Sequence, residues 1–319
     1  MSALLTAVDL KKYFIIRGAM GGSHVLKAVD GVSLSIEKGE TFGLVGESGC
    51  GKTTLGRAMI RLYDVTGGTL KFEDTDITKL EGKALSPFKQ RMQIIFQDPY
   101  SSLNPFMNVE ELIGEPLDLR EKLGKRERRE RIEAMLNKVG MDESALEKYP
   151  HEFSGGQRQR IGIARALVVS PEFVLCDEPI SALDVSIQAQ VVNMLEDLQQ
   201  EMGLTYLFVA HDLSMVRHIS RRIGVMYLGH IVEISPAKEL YKDPLHPYTK
   251  ALLSAIPIPD PRRAREIRRI ALSGDVPSPS KMPGGCPFVT RCPYAMPKCR
   301  ESAPVLREAA PGHQVACYL

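Results

Sequence analysis

Apolar and polar residues alternate over Val32-Ser-Leu-Ser-Ile36, and a second apolar run, Thr41-Phe-Gly-Leu-Val45, follows the turn residues Glu37-Lys-Gly-Glu40. Period-two alternation and a short, mostly apolar run predict two strands. A glycine-rich stretch comes directly after the second. Beyond it Leu55, Ala58, Met59 and Leu62 recur at helical spacing, so the chain passes through strand, loop and helix in succession. Three more short apolar runs, Met92-Gln-Ile-Ile-Phe96, Phe173-Val-Leu-Cys176 and Tyr206-Leu-Phe-Val-Ala210, each end at polar residues. Such runs fit strands of a mostly parallel sheet with helices on its faces, a fold class whose ligands bind beyond the carboxyl ends of the strands. Between the first two lies a mainly helical section, Val109–Ala166, expected to form a side lobe. From Pro257 the composition shifts towards Pro, Arg and Cys, which marks a boundary between about 245 and 260.

Charge changes this picture little. Arg120–Arg131 carries seven basic and three acidic residues, and apolar positions resume at Ile132, Met135, Leu136 and Val139, the pattern of a solvated helix face. Arg262–Arg269 is read as a surface linker. Across the chain, 41 basic against 39 acidic residues leave a net +2, which gives no reason to expect a nucleic-acid partner. With 319 residues, 44% hydrophobic and 25% charged, the chain suits one main domain plus an appendage, with a core that needs no disulfides. No apolar run nears the roughly 18 residues of a membrane-spanning helix, and Met1–Lys12 has no basic leader before a long apolar stretch. A cytosolic location is therefore expected.

The glycine-rich stretch, Gly46-Glu-Ser-Gly-Cys-Gly51-Lys52-Thr53, fits the phosphate-loop pattern, in which glycines let consecutive backbone N–H groups turn inward around an anion. Lys52 would reach the β- and γ-phosphates, the Thr53 hydroxyl would bind Mg²⁺, and the following helix points its positive end at the same phosphates. Cys50 is read as a tolerated small residue. At the end of the strand Phe173–Cys176 stand Asp177 and Glu178: one carboxylate suited to Mg²⁺, the next to polarising a water. His211 and Gln97 also follow strands, where an imidazole and an amide are placed to meet a γ-phosphate, a metal or a water. Phe153-Ser154-Gly155-Gly156-Gln157 precedes a helix-like run, and Ser154 with Gln157 has capping-box spacing. A glycine-exposed helix start is also an anion site.

Taken in order, the loop Gly46–Thr53, Gln97, the segment Phe153–Gln157, Asp177-Glu178, Ser181-Ala-Leu-Asp184 and His211 resemble the complete motif set of an ABC ATPase, over about residues 5–250. The resemblance implies an α/β P-loop NTPase with a mostly parallel central sheet, an antiparallel β subdomain and a helical subdomain at about 98–166. A nucleotide-binding domain at 1–250 would be followed by an extension at 251–319. In this family two such domains pack head to tail, so ATP held by Gly46, Glu47, Ser48, Gly49, Cys50, Gly51, Lys52, Thr53 and Thr54 of one would be covered by Ser154, Gly155, Gly156 and Gln157 of the other. Glu178 would then be the general base, Asp177 the magnesium carboxylate, Gln97 and His211 the sensors of the γ-phosphate, and Asp184 the coupling residue. Phe14, with Tyr13 as the alternative, would stack on adenine. Phe153 stands where leucine is commoner and keeps the apolar anchor.

Gln97-Asp-Pro-Tyr-Ser-Ser-Leu-Asn-Pro105 and His246-Pro-Tyr-Thr-Lys-Ala-Leu-Leu253 are similar to segments of the ATP-binding subunits of oligopeptide and dipeptide importers, a subfamily that includes nickel and some oligosaccharide importers. That likeness implies a second ATPase subunit, identical or homologous, two transmembrane permease subunits, an extracytoplasmic substrate-binding protein, and a peripheral place on the cytoplasmic face of the cell membrane. A soluble ABC ATPase acting on nucleic acid or ribosomes is the rival. Such proteins carry two cassettes or a long coiled-coil insertion, whereas this chain has one motif set and no sustained heptads.

Cys286, Cys292, Cys299 and Cys317 leave gaps of five, six and seventeen residues. Zinc sites usually hold a pair two to four residues apart, which this spacing does not match. Disulfides are disfavoured in the cytosol. Iron–sulfur ligand spacing is more varied, and the subfamily resemblance implies a [4Fe–4S] cluster; zinc and unmetallated thiols stay open as alternatives.

Overall fold

The computed structural model describes residues 2–17, 23–256, 270–272, 274–278, 280 and 282–319, and these fall into two compact units. The arginine run Arg262–Arg269 lies outside the described residues.

One unit comprises Ala3–Ile36, Thr41–Thr78 and Ala210–Leu319. With elements labelled in chain order, β1 (Ala3–Arg17), β2 (Ser23–Glu37), β4 (Gly67–Phe72) and β5 (Thr75–Asp76) make a four-stranded sheet in the order β2-β1-β4-β5, antiparallel at β1–β4 and β4–β5. Leu5 pairs with Phe72 and Ala7 with Leu70, so all four side chains are buried. In the second sheet of this unit β3 (Thr41–Val45) runs parallel to β9 (Arg222–Tyr227), and β10 (His230–Pro236) is antiparallel to β9. The far edge of β10 is taken by β12 (His313–Val315), which forms a hairpin with β11 (Arg307–Ala310). The helices are α1 (Lys52–Met59), α8 (Leu213–Ile219), α9 (Ala237–Lys242), α10 (Pro247–Ser254) and α11 (Pro297–Glu301).

The other unit is built from Glu37–Glu40 and Lys79–Val209 together with Ser2. Its strands β6 (Met92–Ile95), β7 (Phe173–Asp177) and β8 (Thr205–Val209) are parallel, with Ile94 opposite Leu175 and Leu175 opposite Leu207. Every residue of β7 and β8 is buried, as strands covered on both faces require. The helices are α2 (Gly82–Arg91), α3 (Pro99–Ser102), α4 (Val109–Asp118), α5 (Lys125–Lys138), α6 (Gly155–Leu167) and α7 (Val185–Met202). A capping box of Asn108 and Glu111 starts α4, and Gly203 in the left-handed conformation ends α7. The basic run meets acids on its own helix, Arg126–Glu130, Arg129–Glu133 and Arg131–Glu127 at i,i+4 spacing, while Arg128 forks onto Asp118. Its charge is thus spent locally. Among the described residues no helix is long and apolar enough to cross a membrane.

Candidate active site

The loop after β3 is built around glycines that nothing else can replace. Gly51 has φ +107, and a Cβ there would lie 2.1 Å from the Ala28 carbonyl oxygen; Gly46 has φ +153, and its Cβ would lie 2.2 Å from the Met226 carbonyl oxygen. Both strands that crowd the loop are thereby allowed close approach. Gly51 is also the N-cap of α1 and makes no side-chain capping bond, and a helix start of this kind is suited to an anion. Lys52 is buried and its Nζ donates to the carbonyl oxygens of Gly46 at 2.9 Å and Glu47 at 3.1 Å. The ammonium therefore lies across the ring of the loop, one side-chain swing from any phosphate it encircles. Burial pushes the Cys50 thiol above its ordinary pKa, which makes it inert at neutral pH.

Tyr13 and Phe14, adjacent on β1, differ in their neighbours. Tyr13 is committed, its hydroxyl hydrogen-bonded to the Asp30 carboxylate, and desolvation first and that bond second raise its pKa. Phe14 packs edge-on to Tyr63 at 5.7 Å, with Lys12 Nζ 4.9 Å from its ring centre. His211 is exposed and directly precedes Asp212, which caps α8 by accepting from the Ser214 N–H at 2.7 Å.

In the other unit, Asp177 closes β7 and is fully buried. Glu178 follows with φ +50, a left-handed conformation that costs a non-glycine residue about 1–3 kcal/mol and is held by its environment. Its N–H donates to the Val209 carbonyl at 3.0 Å, and its own carbonyl accepts from the Ser181 N–H at 3.2 Å and hydroxyl at 3.1 Å. This pinned turn aims the Glu178 carboxylate at Gln97, whose Nε2 donates to Glu178 Oε2 at 2.7 Å. Two residues singled out separately in sequence, 81 positions apart, thus form one polar pair.

Ser154 is the N-cap of α6, its N–H donating to Gln157 Oε1 at 3.0 Å and its hydroxyl accepting from the Gln157 N–H at 3.4 Å. Gly155 and Gly156 make the first turn; a Cβ on Gly156 would lie 2.8 Å from Ile187 Cγ2, so α7 is admitted against it. Asp184, the N-cap of α7, is exposed and makes no side-chain capping bond to its own helix.

Cys286, Cys292, Cys299 and Cys317 line one small cavity, together with His246, Phe288, Val289 and Tyr294. The Cys286 N–H donates to the Cys299 carbonyl at 2.7 Å. Burial, reinforced by the neighbouring cysteines, pushes the Cys286 thiol up to about 11. Among the described residues no group of three or more His, Cys, Asp or Glu side chains forms an arrangement that could hold a metal ion, so the thiols share a cavity without standing as a ready-made cage.

Sequence reasoning passed over three residues of this region. Arg291 ion-pairs with Glu47 of the phosphate loop, Tyr248 accepts from the Glu47 N–H at 2.9 Å, and buried Glu233 joins His313. Tyr248 lies in the segment His246–Leu253 that had marked the subfamily; Arg291 and Glu233 carry no local signal.

The family model described as ABC transporter matches residues 29–181, and the one described as oligopeptide/dipeptide transporter, C-terminal region, matches residues 232–299. The putative oligopeptide transport ATP-binding protein YkfD of Bacillus subtilis (strain 168) is 56% identical over 317 residues, covering 99% of this chain and 95% of that protein. The chain belongs to the ABC transporter family. It is one of the family's ATP-binding subunits, an ATPase, and falls in the oligopeptide branch. AppF of the same Bacillus strain is 54% identical, with 99% of this chain and 97% of that protein covered, and OppF of Salmonella typhimurium is 51% identical, with 98% and 95% covered. Among solved structures, the post-hydrolysis dimer of the ATP-binding cassette MJ0796 bound to ADP and Pi superposes with a TM-score of 0.66 at 27% identity, over 73% of this chain and 98% of that one. The α/β fold of this ABC subunit is therefore that of the family's ATPase cassettes.

Proposed function

We propose that this subunit powers the import of oligopeptides, working as one of a pair of ATPase subunits docked on two membrane-spanning permease subunits at the cytoplasmic face, with an extracytoplasmic binding protein delivering cargo. The observation that carries the reading is likeness to oligopeptide transport ATP-binding proteins over nearly the whole chain, tail included.

The residues divide the chemistry as follows. Gly46–Thr54 cradles the phosphates of ATP, with Lys52 moving from its carbonyl partners onto the β- and γ-oxygens. Thr53, Gln97 and Asp177 would hold Mg²⁺, which supplies charge neutralisation on the phosphates. Glu178 accepts the proton of the attacking water, and the short bond from Gln97 fixes the direction of its carboxylate. His211 senses the γ-phosphate, Phe14 supports adenine, and Asp184 carries nucleotide state across the pair. Ser154, Gly155, Gly156 and Gln157 present the positive start of α6 to the ATP of the partner subunit, so neither copy has a complete site alone.

For the tail, likeness to the oligopeptide branch is the ground for a [4Fe–4S] cluster on Cys286, Cys292, Cys299 and Cys317; the four thiols line one cavity but would have to draw together to hold it. It would supply a structural crosslink. Iron and acid-labile sulfide analysis of anaerobically purified protein tests it; protein that lacks both rejects the cluster.

The composite site is tested by size-exclusion chromatography of Glu178→Gln with MgATP. The variant dimerises on addition of nucleotide, and Ser154→Arg in the same chain abolishes the dimer. Efficient ATP turnover by a strictly monomeric protein would overturn the arrangement. Uptake of labelled oligopeptides by vesicles containing the assembled importer tests the cargo.

A further inference from the structure

Arg291 lies one residue before Cys292 in the tail and is 8% exposed. Its planar fork makes two bonds to Glu47, Nη1 to Oε2 at 2.8 Å and Nη2 to Oε1 at 3.2 Å, a bidentate ion pair across 244 residues of sequence. Glu47 is the second residue of the phosphate loop. The same residue is gripped at its backbone, because its N–H donates to the Tyr248 hydroxyl on α10 at 2.9 Å.

Behind these contacts sits a buried cluster of three rings. Tyr227 and Tyr248 are 4.7 Å apart between centroids, Tyr227 and Phe288 5.2 Å, and Tyr248 and Phe288 5.5 Å. The Arg291 guanidinium lies 5.9 Å from the Tyr227 ring. Burial alone would lower the Arg291 pKa, yet the bonds and attraction to Glu47 outweigh it and raise the value. The phosphate loop is thus clamped at one residue by two elements, α10 and the tail, neither of which belongs to the nucleotide motifs.

We propose that Arg291 is a positioning residue for the ATPase: by holding Glu47 it keeps the phosphate loop in its nucleotide-binding shape and neutralises a carboxylate at the rim of a polyphosphate site. The inference rests on the reading of Gly46–Thr53 as that site. Three physical effects act together. The loop contains three glycines at positive φ, Gly46, Gly49 and Gly51, and so has little conformational preference of its own; an anchor at Glu47 removes much of the entropy lost when phosphate orders it. The carbonyl of Glu47 is also an acceptor for Lys52, so displacing Glu47 moves the ammonium. Without Arg291, moreover, the Glu47 carboxylate would stand unpaired beside an anion and repel it.

The repulsion separates positioning from mere folding, because it predicts a rescue. In the full-length chain, calorimetric binding of the non-hydrolysable ATP analogue AMPPNP with Mg²⁺ is expected to weaken about tenfold in Arg291→Met, towards the low end of ordinary coupling between sites. Adding Glu47→Gln to Arg291→Met removes the repulsion and recovers part of the affinity. Tyr248→Phe keeps the ring cluster, loses the bond to the Glu47 N–H, and weakens binding by a smaller factor. Unchanged affinity in a folded Arg291→Met, or a loss that Glu47→Gln deepens, overturns the proposal. If Arg291→Met does not fold, Arg291→Lys and Tyr248→Phe decide, and wild-type affinity in both rejects it. Lys52→Ala is the control: a Lys52→Ala protein that still binds nucleotide would refute the phosphate-site reading itself, whereas loss in Lys52→Ala with no effect of Arg291→Met rejects only the role of Arg291.

Discussion

Replacing Glu233 by alanine tests whether one buried carboxylate ties the tail and α10 to the sheet of their unit. Glu233 lies on β10 with no exposure at all; its Oε1 accepts from the Leu245 N–H at 2.8 Å and meets His313 Nε2 at 2.7 Å, and its Oε2 accepts from the His246 N–H at 2.9 Å. Two of these bonds fix the turn into α10, and the third reaches β12. Alanine leaves the Leu245 and His246 N–H groups without an acceptor. A hydrogen bond to a charged group contributes about 1.5–3 kcal/mol net, so the two backbone bonds alone are worth ~3–6 kcal/mol of local stability. Amide hydrogen exchange reads that quantity at the residues concerned. About 3 kcal/mol corresponds to a fall in protection of roughly a hundredfold, which Leu245 and His246 should show while the β7 amides change far less. His313→Ala spares both amide bonds and should lower protection at Leu245 and His246 by less. Protection at those two amides within about fivefold of wild type in Glu233→Ala would refute the reasoning.

Glu178→Gln should bind MgATP as wild type but lose turnover by about 10²–10⁴, the usual worth of a general base, as measured by phosphate release. Gly51→Ala adds a Cβ 2.1 Å from a backbone oxygen at φ +107, and should abolish nucleotide binding and lower the unfolding temperature. Burial lowers the His246 pKa from its ordinary 6.5 to about 4, so the unfolded chain takes up the proton first on acidification. The stability that comes from keeping His246 neutral is complete above pH 6.5 and is lost as pH falls towards 4. His246→Asn retains an acceptor for the Tyr248 N–H and should flatten that part of the denaturant-midpoint profile; a slope identical to wild type between pH 6.5 and 4 would exclude the mechanism.

The parts of the cassette that could be read directly are those whose physics is local. β7 and β8 announce themselves as short runs apolar on both faces, and burial of every residue in them is the reason. Ser154 and Gln157 announce a helix start because a capping box closes within three residues. The loop at Gly46–Thr53 is legible because its glycines mark a tight turn, and Gly46, Gly49 and Gly51 do take positive φ there. Where the physics is long-range the signal vanishes. Arg291 and Glu47 are ordinary charged residues until the fold brings them together, and Gln97 gains its partner Glu178 only when β6 lies beside β7. The hairpin β11–β12 went unread for a related reason: Arg307–Ala310 is exposed throughout and carries no alternating pattern, its strand character coming from pairing with β12.

That hairpin also guards the molecule against its own kind. β12 occupies the side of β10 that β9 does not, with Gln314 opposite Ile234, Val315 opposite Glu233, and the Ala316 N–H bonded to the Val232 carbonyl at 2.8 Å. Were the tail trimmed away, a ladder flanked by Ile231, Val232 and Ile234 would be bared, a template on which a second molecule can add a strand and a third can follow. A shortened cassette should therefore clump rather than merely lose its cysteines, and anyone trimming it to the nucleotide motifs alone would meet insolubility before inactivity.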